Sequence, residues 1–182
     1  MISIRTNTFE TNSSSTSSIC IPKTCNEYIK SIYFGFDDFG WEFRTADPAN
    51  YLYTAICYIF EDSEECNERS DRLNRLKEVL DKYDVEYEFQ PIEKKQWYNS
   101  KHEYEDIGSI DHGYELYGMV EKLLSDEELL LRYLTLGEVY TGNDNGDSGD
   151  TWVDENGEEH PTCEYSWYRP DPDNYEYFYK GN

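Results

Sequence analysis

The densest group of potential metal ligands lies late in the chain, where Asn143, Asp144, Asn145, Asp147 and Asp150 crowd one short loop with oxygen donors. Hard cations prefer such donors, so a calcium or magnesium loop is the first chemistry to test. With Asp144 as first ligand, Glu155 falls at the twelfth position, as in an EF-hand loop. The third position is however Gly146 and the fifth is Ser148, which leaves too few carboxylates for a calcium cage. A zinc site has still less to work with. His160 and Cys163 stand close together, but Cys20, Cys25, His102 and His112 are not spaced as paired knuckles. No metal and no cofactor is expected.

Nucleophilic chemistry is no better supported. Gly146-Asp147-Ser148-Gly149 has the form of a protease serine stretch, but Asp150 replaces the glycine that would follow, and the helical periodicities elsewhere exclude a two-barrel all-β protein. Asp38-Phe39-Gly40 matches a kinase triplet without the glycine-rich loop, strand lysine or catalytic loop that a kinase needs. Nothing in the sequence brings His102, His112 or His160 to a carboxylate, so no catalytic residue is assigned and the chain is not expected to be an enzyme.

What remains is charge interleaved with aromatics. Sixteen basic residues against thirty-nine acidic ones give a formal charge of −23, spread from Asp37 to Glu176. Such a charge repels nucleic acid and anionic membranes unless cations gather locally. The two cationic groups, Arg69-Arg72-Arg75-Lys77 and Lys94-Lys95 with Lys101, are each interleaved with acids. Eighteen tyrosines, eight phenylalanines and four tryptophans argue for a folded chain, since disordered acidic segments are poor in aromatics. A core takes most of these rings, and their number leaves some for a protein-binding surface. The acidic segments are Glu61 to Glu68, Glu103 to Asp106, and Asp144 to Glu159 running into the tyrosine-rich tail. The candidate partner contacts are therefore Glu103, Tyr104, Glu105 and Asp106 in a polar, irregular stretch from Glu93 to Gly113. To these are added Asp144, Asp147, Asp150, Trp152, Asp154 and Glu155, then Trp167, Tyr168, Tyr175 and Tyr177. Rows of carboxylates can occupy a basic nucleic-acid channel on another protein, with aromatic side chains making the dry contacts.

Five scattered cysteines fit free thiols in a reducing compartment. The first thirty residues lack a basic start followed by an apolar run, and no stretch approaches a membrane span, so action where the chain is synthesised is expected.

The elements that must position these residues read as an α+β domain. Ile2 to Arg5 and Ile19 to Ile21 predict two strands around a polar loop, and alternation from Tyr28 to Asp38 predicts another. Asp47-Pro48 starts a helix to about Phe60 that should be the central one, and a second runs from about Cys66 to Tyr83 with its arginines side by side. Val85 to Phe89 alternates strictly and predicts a half-buried strand. Tyr114 to Leu124 and the helix after Ser125-Asp126-Glu127-Glu128, which has capping-box form, complete four helices on a small, mainly antiparallel sheet. Composition changes near Gly137, predicting a core domain over 1–136 and an acidic, turn-rich, aromatic C-terminal lobe over 137–182, with a hairpin pairing Trp152-Val153 with Cys163 to Tyr168.

Two local patterns carry a resemblance. Arg5, Phe9 and the run Thr11-Asn12-Ser13-Ser14-Ser15-Thr16-Ser17-Ser18 before an apolar strand resemble the opening of a group of small phage and mobile-element proteins. Tyr140-Thr141-Gly142-Asn143-Asp144-Asn145 after a leucine-rich helix resembles that group's later turn. In length, acidity, aromatic richness and opening, the whole chain resembles type II-A anti-CRISPR proteins. This resemblance implies an inhibitor that binds a guide-RNA-loaded CRISPR effector nuclease in the cytoplasm of a bacterial host, as a monomer or homodimer, without touching membrane and without binding nucleic acid outside a ternary complex. A metal-assisted hydrolase of nucleic acid or nucleotides, and a self-associating phage structural or regulatory protein, are the alternative readings.

Overall fold

A computed structural model describes residues 15–40, 44–63, 65–96, 98, 101–111, 113–143, 151–153, 159–161 and 173–180. In chain order the first half contains β1 (Ser15–Pro22), β2 (Ser31–Phe34), β3 (Asp38–Phe39), β4 (Arg44–Ala46), α1 (Pro48–Ile59), α2 (Glu68–Lys82) and β5 (Glu86–Phe89). The second half contains β6 (Glu93–Gln96), β7 (Glu103–Asp106), β8 (Ser109–Ile110), a 3₁₀ turn η1 (Gly113–Leu116), α3 (Tyr117–Ser125), α4 (Glu127–Leu136), β9 (Glu138–Asn143), β10 (Thr151–Val153), β11 (Glu159–Pro161) and β12 (Tyr175–Lys180). Four helices and a four-stranded antiparallel sheet make this an α+β fold. No described helix is long and apolar enough to cross a membrane.

The helices α2, α3 and α4, the turn η1 and the strands β2, β8 and β9 all pack against α1. Asp47 caps it, one carboxylate oxygen accepting from the Asn50 amide at 3.0 Å, and Pro48 at the first position gives up no needed donor. From Ala49 to Cys57 every residue except Asn50 is buried, so this helix is apolar nearly all round, as a helix enclosed by other elements must be. Leu52, Ala55 and Ile56 have no exposed surface. Each large side chain buried this way stabilises the fold by roughly 1.5–3 kcal/mol. Phe60, extended at φ −111° and ψ 137°, ends the helix and turns its ring inward.

The four-stranded sheet runs β12-β1-β9-β4, antiparallel throughout. Its interior strand β1 begins at Ser15, so Ser15, Ser17 and Ser18, expected to lie in a loop, are sheet residues instead, while Ser13 and Ser14 lie outside the described residues. The physical reason is pairing on both edges: Ser17 faces Thr141 of β9 and Lys180 of β12. The buried Ser17 hydroxyl also accepts a hydrogen bond from the Tyr51 hydroxyl at 2.7 Å. The predicted strand from Ile2 to Arg5 lies outside the described residues. The sheet takes β1 and β4 from before Gly137, where composition changes, and β9 and β12 from after it.

Several boundaries differ from the sequence expectation. Tyr28 to Asp38 is two short strands, because β2 pairs in parallel with β5 while β3 pairs in parallel with β8. Between them the Gly35 amide turns away to donate to Asn50 Oδ1 of α1 at 2.7 Å. Glu93 to Gly113, expected to be irregular, contains the β6–β7 hairpin and the strand β8. The hairpin is stabilised across its strands by the Lys95–Asp106 ion pair. Asp126 rather than Ser125 caps α4, accepting from the Leu129 amide at 3.0 Å, while the Ser125 hydroxyl donates to the Lys122 carbonyl. β10 pairs with β11 at Glu159–Pro161, and the expected partner segment Cys163 to Tyr168 lies outside the described residues.

Candidate protein-interaction site

The three arginines of α2 recur at i, i+3 spacing and so share one face of the helix. Each is engaged internally. Arg69, only 8% exposed, donates from Nε to the Phe60 carbonyl at 2.9 Å and from one guanidinium nitrogen to Glu105 Oε2 at 2.6 Å, tying α2 to β7. Arg72 pairs with Glu121 of α3 at 2.8 Å, and its guanidinium lies 3.7 Å above the centre of the Phe60 ring. Arg75 donates to the Leu124 carbonyl and reaches Glu127 of α4 at 3.1 Å, where Lys82 also pairs at 2.5 Å. The Glu127 carboxyl is held below its ordinary pKa, first by the hydrogen bond from Lys82. This row of cations fastens α2 to β7, α3 and α4, each guanidinium paired with a carboxylate of a neighbouring element.

Beside Arg69 the surface is concave. A cleft of about 540 Å³ opens between the end of α1, the segment leading into α2, β7 and η1. Cys57 and Ile107 line its floor, and Glu61, Asp62 and Glu105 supply carboxylates around Arg69. Tyr58 and Tyr114 complete the lining with rings 6.2 Å apart and inclined at 49°. Tyr114 is 68% exposed. Gly113 makes the approach of η1 to α1 possible, because a Cβ there would stand 2.8 Å from the Tyr58 ring. Asp62 accepts from the Ser70 hydroxyl at 2.5 Å and from the Ser70 amide at 3.0 Å. Those bonds, the hydroxyl's foremost, lower its pKa and keep it ionised. Three carboxylates outnumber one guanidinium in this cleft, so its field is negative.

Of the contacts expected from sequence, the β7 quartet is described most fully. Glu103 and Tyr104 are exposed, Tyr104 at 41%, whereas Glu105 is bound to Arg69 and Asp106 to Lys95. Tyr175 is half-buried in β12, and Tyr177 holds the register position opposite Cys20 in β1. Trp152 lies opposite His160 in the β10–β11 hairpin. Asp144, Asp147, Asp150, Asp154, Glu155, Trp167 and Tyr168 lie outside the described residues, as does most of the loop weighed for calcium. Among the described residues no three His, Cys, Asp or Glu side chains converge to hold a metal ion.

Sequence reasoning passed over Tyr58 and Tyr114. Tyr58 falls outside the apolar positions Tyr51, Leu52, Ala55, Ile56, Ile59 and Phe60 that the helical period selects, and an aromatic off the buried stripe was the available signal. The pairing with Tyr114 follows only from the tertiary fold. Comparison of the chain with protein families, with curated proteins and with solved structures gives no match.

Proposed function

We propose that this chain is a phage or mobile-element inhibitor of a guide-RNA-loaded type II CRISPR effector nuclease. It binds the effector as an acidic, aromatic protein and blocks target recognition or cleavage without covalent chemistry. The observation that supports this most is the disposition of charge. The chain carries a formal charge of −23, and its clustered arginines are consumed by internal pairs. Its outer surface therefore complements a positively charged channel, the feature such an effector uses to hold guide and target. Exposed rings of Tyr33, Tyr98, Tyr104, Tyr114 and Tyr117 supply the contact area that charge alone lacks. Charge sets the encounter rate and aromatic contact sets the lifetime.

The test is capture of a purified effector on immobilised protein, with and without guide RNA, across a salt series. Retention of the guide-loaded effector at low salt, declining as salt rises, is the expected result. Retention of free DNA or RNA in place of the effector would contradict the reading.

A further inference from the structure

The cleft beside Arg69 combines three features: it is concave, it is net negative, and it has aromatic walls, one of them largely exposed. We propose that it is a receptor for an arginine side chain presented by the partner protein, the guanidinium lying against Tyr114 and Tyr58 and pairing with Glu61. This rests on the functional reading above and names the place on this chain where a basic channel would be gripped.

The chemistry of the walls selects the guest. A phosphate or carboxylate would meet Glu61, Asp62 and Glu105 with only Arg69 to offset them, and Arg69 is already bound to Glu105 and the Phe60 carbonyl. An apolar side chain would strip water from those carboxylates without replacing its hydrogen bonds. A guanidinium suits both kinds of wall, because its flat face stacks on a ring while its edge donates to a carboxylate. The chain already seats one of its own in this manner nearby: Arg72 lies over Phe60 and within 5.9 Å of the Tyr117 ring centre while pairing with Glu121. Two of the proposed contacts stand at the surface: Glu61 is exposed, and Tyr114, 68% exposed, meets the ring of Tyr58.

The experiment uses the full chain, isotopically labelled for amide NMR, titrated with the capped tripeptide Gly-Arg-Gly and separately with Gly-Gln-Gly. The arginine peptide should shift the amides of Tyr58, Glu61 and Tyr114, and the glutamine peptide should not. A Glu61→Gln, Tyr114→Ala double variant should bind the arginine peptide about tenfold more weakly, and Glu86→Gln on the exposed edge of β5 within about twofold of the unaltered chain. Shifts scattered over the acidic surface, or equal weakening by Glu86→Gln, would overturn the proposal. Capture of the guide-loaded effector separates the two ideas. If the unaltered chain retains the effector and the double variant retains it equally well, the cleft is not the grip and the functional reading stands. If the peptide binds in the cleft but the unaltered chain retains no effector, the receptor stands and the choice of partner fails.

Discussion

Arg69 shows how one side chain can be both structural and formative for a surface. Its guanidinium satisfies the carbonyl that ends α1 and holds Glu105 of β7, so it fixes two walls of the acidic cleft at once. Replacing it by methionine preserves bulk but leaves Glu105 without its cation. The expected cost is about 2–3 kcal/mol, below that of a fully buried pair because Glu105 is about a third exposed. Urea unfolding measures it, and an unchanged midpoint would show that the pair is ornamental. The thiols give a second expectation at this scale. Burial pushes both Cys20 and Cys57 from 9.0 up to about 12. The native state therefore keeps protons that the unfolded chain releases, so stability is intact below about pH 9 and falls as pH rises towards 12. In the native protein at neutral pH, iodoacetamide should modify the exposed Cys66 and spare Cys20 and Cys57. Native-state labelling of Cys57 would contradict the packing described for α1.

At the scale of elements, the sheet depends on its last strand. β12 covers one edge of β1, packs Phe178 against the core, and brings Glu176 to Arg132 at 3.1 Å. Removing residues 173–182 exposes the β1 edge, which is then available to pair with another chain. The truncated protein should unfold at lower temperature and associate with rising concentration in sedimentation. A monomer with the full-length midpoint would mean that β12 adds nothing. The four helices and the α+β class were readable in the sequence because they rest on local signals. Asp47-Pro48 marks a helix start, and the leucines before Gly137 repeat at helical spacing. Pairing partners were not readable. That β1 lies between β9 and β12, or that β2 and β5 run parallel, depends on contacts between distant segments that no local period encodes. The candidate site divides along the same line. The acidic run from Glu61 was visible as composition, while the cleft exists only because η1 brings Tyr114 to Tyr58.

For the molecule as a whole, the arginines of α2 are spent on joining it to β7, α3 and α4, and the net negative charge of −23 is the feature proposed above to meet a basic partner. Screening acts over about 8 Å at physiological ionic strength, so long-range attraction weakens with salt while close aromatic contact persists. Association should therefore slow more than dissociation quickens as salt rises. The proposed function is stoichiometric inhibition by binding. Its most direct test is a titration of guide-loaded effector against target-DNA cleavage, with the effector well above the dissociation constant and repeated at low and physiological salt. Activity should fall linearly to an end point of about one inhibitor per effector, or two if the inhibitor acts as a dimer, with the apparent affinity weaker at the higher salt. Loss of cleavage at a small fraction of one inhibitor per effector would mean turnover, and would contradict it.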